Sequence, residues 1–227
     1  VDGGDALLAP MSKESQADTL EAVTKLGVIV KLNTRVIDFK DDTVFFADGE
    51  TIQTKNLIWA AGVSAKEFEG IPAESYGRGK RLKTDAFHKV NAAVNIYAIG
   101  DTAIQFGDDA FPEGHPQVAQ VAIQQGLNLA QNFKLLLQNK PLKPFKYNDK
   151  GSMAIIGKNK AVVDLPKPKM HFKGFFAWMI WLFVHLMSLI TYRNRINTFY
   201  HWMVAYFSKD QSLRMIIRPE KRVKEEV

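Results

Sequence analysis

The run IYAIGD at residues 96–101 constrains this chain most. It reads as a short buried strand stopped by a glycine and an acid. At the carboxyl edge of a parallel sheet, Gly100 would let another backbone approach closely, and Asp101 could accept a hydrogen bond from a sugar hydroxyl. An Asx turn at an ordinary strand end is the other reading of the same residues. The next long element narrows the choice. Residues 116–138 read as a helix opened by Pro116, whose missing N–H would be an orphan there anyway. Gln117, Gln120 and Gln124, followed by Asn128, place amides on one face, while Ala119, Ala122 and Gly126 keep the backbone approachable. Orphan N–H groups near Gln117 and Val118 would suit a ligand carrying negative charge. A solvated amide face is the alternative.

Upstream, residues 12–26 predict a helix capped by Ser12, with Ala17, Leu20, Val23 and Leu26 recurring at helical spacing. Gly27 stops it, and residues 28–40 alternate as a strand does. A hairpin turned at Asp48-Gly49 follows, then a wholly apolar strand at 57–60 that places Trp59 in a core. Residues 63–90 read as a crossover loop, and 94–99 as the next buried strand. Downstream, Pro141 and Pro144 bracket a linker. Short β segments turn at Gly151 and Gly157, with a strand at 161–165. An apolar helical stretch at 172–207 leads to a charged tail. Strand, helix, hairpin and buried strand in this order describe an α/β chain, the second half of a nucleotide-binding unit.

Composition excludes several functions. An apolar fraction of 46% against 24% charged residues is not that of a disordered chain. The absence of cysteine excludes a disulfide framework, a thiolate metal cluster and a redox dithiol, so any electrons must travel on a bound cofactor. The five histidines form no HExxH pair, and no metal site is expected. His88 and His171 read as surface or loop residues, and His185 and His201 as interfacial or packed against helix neighbours. Only His115 falls near the proposed ligand site.

The net charge of +6 is unevenly placed. No acid occurs between Asp164 and Asp210, whereas Lys167, Lys169, Lys173, Arg193, Arg195 and Lys209 do. Basic residues around a greasy segment suit a membrane surface and not a nucleic acid. Residues 174–192 carry no formal charge and approach the length of about 20 residues that spans a bilayer. Trp178, Trp181 and His185 nevertheless sit in the middle of the stretch, not in belts at its ends. Phe199, Tyr200, Trp202, Tyr206 and Phe207 follow the arginines. Two aromatic amphipathic helices lying in the interface are expected, with a homodimer interface as the alternative for that surface.

The order WAAG, IYAIGD, HPQVAQVAIQQG, a Tyr147-to-Gly151 segment and the FFAWMIWLFVHL tail resembles the C-terminal half of a type II NADH dehydrogenase. That family is the single-subunit, non-proton-pumping NADH:quinone oxidoreductase. The resemblance implies an incomplete two-dinucleotide-binding-domain flavoprotein with a C-terminal membrane-associated helical region. Residues 1–63 would end the NADH-binding domain and 64–140 the FAD-binding domain. Residues 141–170 would complete the quinone and flavin region, and 171–227 would hold the anchor and tail. Asp2 would hold the adenosine ribose of NADH, and Ala61 and Gly62 would lie near its nicotinamide. Gly100, Asp101, Gln117 and Val118 would bind FAD. Gln120 and Gln124 would line the catalytic passage where quinone approaches the flavin, with Gln125 a weaker candidate. Residues 152–157 and Lys158 would form the other wall.

The resemblance also implies a membrane-associated protein, peripheral on the cytoplasmic side of the inner membrane. The Gly-rich FAD and NADH fingerprints of a complete member are missing, so the chain is expected to be a fragment with partial sites. A soluble NADH:acceptor flavoprotein such as a ferredoxin reductase would not need the acid-free aromatic tail. A non-catalytic membrane-surface module would not need the amide face.

Overall fold

Ser12 begins the first helix as its sequence requires. Its side-chain oxygen accepts from Ser15 N at 3.1 Å and caps α1 (Lys13–Lys25). The computed structural model describes residues 1–208, so Lys209 and the charged tail lie outside the described residues. The buried face of α1 differs from the expected one. Ser15, Gln16 and Thr19 are buried, while Leu20 and Leu26 are exposed. Polar bonds explain the reversal: the Gln16 amide donates to Ala9 O and Met11 O, and the Ser15 hydroxyl to Asp164. The buried polar atoms of this face are largely satisfied, so their burial is tolerated.

The chain divides into two compact units. One comprises Val1–Ala6, Lys31–Ser152 and Leu165–Met170; the other comprises Leu7–Val30, Met153–Asp164 and the described residues from His171 on. In the first, β1 (Val36–Lys40), β2 (Thr43–Phe46) and β3 (Thr51–Gln53) form an antiparallel sheet. The hairpin turns at Asp48-Gly49 as predicted, with Gly49 at φ +89° and its N–H bonded to Phe46 O. A second pair, β4 (Leu82–Thr84) and β5 (Ala103–Gln105), is parallel. The predicted loop at 63–90 therefore contains a strand.

Leu82, Val90, Ala98 and Ala103 form one core cluster. Val121, Phe145 and Tyr147 form another, against which Phe111 packs. Burying a residue such as Ile104, 1% exposed, contributes roughly 1.5–3 kcal/mol. The long helix, α2 (Ala119–Leu137), starts three residues after Pro116, with Val118 as its N-cap.

Two predicted strands are absent. Residues 57–60 form no strand, and Ile58 and Trp59 are 90% and 64% exposed. Residues 94–99 contain only bridge-like pairing, with Val94 exposed and Ala98 buried. An extended apolar run needs ladder partners to become a strand, and 57–60 has none among the described residues.

In the second unit, most of β6 (Ser152–Gly157), β7 (Lys160–Pro166) and β8 (Lys169–Lys173) makes a sheet of that order, with Ala161, Val162 and Val163 buried. The apolar stretch breaks into α3 (Gly174–Ser188) and α4 (Tyr192–Ser208). The two pair through rings, Trp178 on Tyr206 at 5.5 Å and Trp181 near Trp202 at 6.3 Å. No helix among the described residues is long and apolar enough to cross a membrane.

Candidate functional site

The site is built where β5 and its preceding turn meet the N-terminus of α2. Gly100 opens a 3-10 turn (Gly100–Thr102) at φ +69°. A Cβ placed on Gly100 would lie 3.3 Å from Ala122 Cβ, so a small residue on both elements allows the close approach. Gln125, 1% exposed, accepts the Gly100 N–H at 2.7 Å through its side-chain oxygen. Its amide is buried under the turn. Gln117 donates to Asp101 O at 3.1 Å, and the Asp101 side chain itself is exposed.

No side chain caps α2 at Val118. Val118 N–H donates to Pro116 O and Val121 N–H to Val118 O, so the N–H groups of Ala119 and Gln120 are the ones that stay available beside the Gly100 turn. Open donors, a helix dipole and a glycine-tight approach fit the phosphate or electron-rich ring edge of a dinucleotide such as FAD.

The amide face of α2 continues in an ordered way. Gln120 donates to Gly151 O at 2.9 Å and accepts from Lys150 N at 3.2 Å. Gln124 donates to Asn148 O at 2.9 Å and accepts from its N–H at 3.0 Å. Asn132 repeats the exchange with Lys143, at 2.9 Å in both directions, and Asn128 also donates to Lys143 O. The face is thus neither solvated nor free. It holds residues 143–151 along the helix as a wall.

Three residues, His88, Arg81 and His171, escaped the sequence reading, and His115 is more deeply enclosed than the sequence implied. His88, expected at the surface, is 0% exposed: its Nε2 meets Asn128 at 3.0 Å and its ring packs on Phe145. Burial pushes its pKa below the ordinary imidazole value. His115, 1% exposed, pairs with Asp108 at 3.0 Å among Phe111, Phe145 and Tyr147. That bond holds the Asp108 carboxyl below its usual range. Arg81 is buried in a run where four basic residues look alike, so no sequence signal singles it out.

His171, also expected at the surface, sits in the second unit between two carboxylates. Its Nδ1 meets Asp164 at 2.9 Å and its Nε2 meets Asp18 at 2.8 Å. Burial alone would lower its pKa, but the two carboxylates outweigh burial and raise it. The alternating KMHFK pattern puts His171 on the face of Lys169 and Lys173, so no sequence signal marked it as inward.

The remaining predicted residues are placed as follows. Asp2 is exposed and accepts from Gly4 N at 2.8 Å. Ala61 and Gly62 are exposed on the unpaired segment, Gly62 at φ +84°. Lys158, in the second unit, donates to Tyr206 O at 3.0 Å and lies over the Tyr206 ring at 4.1 Å. His185 stacks on Trp181 at 3.8 Å, and His201 packs edge-on against Tyr200.

Known proteins share this architecture. Residues 1–126 match the pyridine nucleotide-disulphide oxidoreductase family, and residues 150–210 match the NDH2 C-terminal domain. The type II NADH:quinone oxidoreductase NdhA of Mycobacterium tuberculosis is 32% identical over 222 residues, covering 92% of this chain and 45% of that protein. Its paralogue Ndh from the same organism is 33% identical over 216 residues, with the same two coverages. NDH2 of Plasmodium falciparum, solved in complex with NADH, superposes with a TM-score of 0.78 at 20% identity, covering 91% of this chain and 57% of that one. This chain spans less than half the length of the curated relatives it matches. Over the part it does span, a match across both halves and a shared fold lead to one assignment: the chain belongs to the type II NADH dehydrogenase family.

Proposed function

We propose that this chain forms the C-terminal part of an FAD-dependent, non-proton-pumping NADH:quinone oxidoreductase, which passes a hydride from NADH to FAD and then electrons to a membrane quinone. The observation that carries the reading is the uncapped N-terminus of α2 beside the Gly100 turn. Bound there, FAD supplies the hydride acceptor and electron donor that no side chain of this cysteine-free chain can supply. Gly100 and Asp101 hold its sugar or phosphate side. Gln117 and Val118 present backbone to its ring edge, where helix N–H groups stabilise negative charge.

Asp2 holds the ribose of NADH, and Ala61 and Gly62 border its nicotinamide. Gln120 and Gln124 fix the wall at 143–151 that bounds the quinone's approach and excludes water from it.

The same reading gives residues 1–63, 64–140, 141–170 and 171–227 their roles as the ends of the NADH and FAD domains, the completing β segments, and the anchor with its tail. The anchor lies on the lipid surface on the cytoplasmic side of the inner membrane. Exposed Phe176, Phe183, Tyr192 and Phe207 on α3 and α4, with Ile190 between them, in a stretch without an acid, support that reading.

The test is the visible spectrum of the full-length protein in detergent, followed by anaerobic NADH and then a short-chain quinone. Flavin bands that bleach with NADH and return with quinone are expected. A folded protein without flavin would sink the enzyme reading and leave a membrane-surface module.

A further inference from the structure

Residues 78–83 carry four basic side chains, and three of them behave as surface residues do. Arg78 is exposed, Lys80 pairs with Glu67 at 2.7 Å, and Lys83 reaches Glu74 O. Arg81 does not. It is 8% exposed, and no carboxylate pairs with it among the described residues. A buried cation without a partner is costly, so its placement calls for a reason.

Its bonds supply one. Nε donates to Ala103 O at 2.7 Å, and Nη2 donates to His115 O at 3.0 Å. Ala103 ends the 3-10 turn that carries Gly100 and Asp101. His115 leads directly into Pro116, Gln117 and Val118. One planar fork therefore ties together the two backbone segments that flank the candidate flavin site. They already meet tightly, since a Cβ on Gly114 would lie 2.6 Å from Ile104 Cγ1. Burial pushes the guanidinium below its ordinary value and Asp101 pulls it back, but an arginine stays charged at any pH the protein meets.

We infer that Arg81 is a positioning residue for the flavin: its fork sets the spacing of the Gly100–Thr102 turn and the 115–118 segment, and its unpaired charge favours the reduced, anionic cofactor. This rests on the flavin reading above. Lysine keeps the charge but, as a point donor, cannot hold both carbonyls in the fork. Glutamine removes the charge as well.

The experiment uses full-length protein loaded with FAD, in wild type, Arg81→Lys and Arg81→Gln. It measures the FAD dissociation rate and the flavin midpoint potential by equilibration with redox dyes. Arg81→Lys is expected to release FAD about tenfold faster with its potential near wild type. Arg81→Gln is expected also to lose about tenfold in preference for reduced over oxidised flavin, which is about 30 mV for a two-electron couple. Wild-type potential and wild-type release in both variants would overturn the inference. So would failure of both variants to fold, which would make Arg81 a structural residue alone. A wild type that carries no flavin would instead refute the functional reading itself.

Discussion

Residues 57–62 and 96–105 look alike as sequence, each an apolar run that ends at or passes through a glycine, yet they have opposite fates. In the second, Ala98, Ala103 and Ile104 are buried, β5 pairs with β4, and Gln125 of α2 holds the Gly100 N–H. In the first, Ile58 and Trp59 stand exposed and no ladder forms. Local apolarity is the same; the partners are not. A strand satisfies its backbone only through a neighbour, so hydrophobicity alone cannot make one. Helix α1 sharpens the point. Its apolar residues Leu20 and Leu26 are also uncovered, yet it persists, because a helix bonds its own backbone and polar ties hold its other face.

The two regions can be set against each other with glycines that share a left-handed backbone. Gly114 (φ +87°) has Ile104 against it, while Gly62 (φ +84°) has open space. Gly114→Ala is expected to cost about 3 kcal/mol in urea unfolding, through overlap added to strain. Gly62→Ala is expected to cost about 1 kcal/mol, through strain alone. Equal losses would mean that 57–62 is packed after all.

The polar ties of α1 should matter next most. His171→Ala leaves Asp18 and Asp164 without their shared partner and should cost about 2 kcal/mol, read as a shift of the denaturation midpoint. The pH dependence has a definite sign. His171 is held above its ordinary 6.5, so its contribution is full below that value and is lost as pH rises through the raised one. Asp18 and Asp164 are held below their ordinary 3.8, so their contribution is full above it and is lost as pH falls through the lowered values. The wild-type advantage over His171→Ala should therefore peak between 3.8 and 6.5. An advantage that grows above neutrality would remove the carboxylates from the account.

Gln125→Leu leaves the Gly100 N–H without its acceptor and should cost about 1–2 kcal/mol, with the loss of amide protection centred on residues 100–105. The smallest effect belongs to Trp59→Ser, expected within about 0.5 kcal/mol of wild type because the residue is largely exposed. Hydrogen exchange on the wild type makes the same comparison without mutation: amides of 57–62 should exchange far faster than those of β5. Similar protection in both would break the contrast.

What the sequence revealed follows the same division. The Asp48-Gly49 turn, the Ser12 cap and the long amide-bearing helix were legible because each is a local device, readable from a few neighbouring residues. The turn at Gly100 and Asp101 and the start of the helix that follows were legible for the same reason, through motif and helix end. Arg81, His88 and His171 were not. Each owes its place to residues far along the chain: Ala103 and His115 for the first, Asn128 and Phe145 for the second, Asp18 and Asp164 for the third. The roles of Gln120 and Gln124 were half legible. Their shared face was apparent, but its backbone partners at 148–151 were not.

Those two glutamines make the helix a ruler. Four residues of α2 advance about 6 Å, close to the rise of two extended residues, so the side chains at 120 and 124 meet peptide groups near 150 and 148 in step. The reading is of backbone N–H and C=O alone and is blind to what side chains 148 and 150 carry. Positions 148 and 150 should thus accept many substitutions, yet a single inserted or deleted residue would put both amides out of phase at once. The segment has the sequence tolerance of a loop and the length intolerance of a strand.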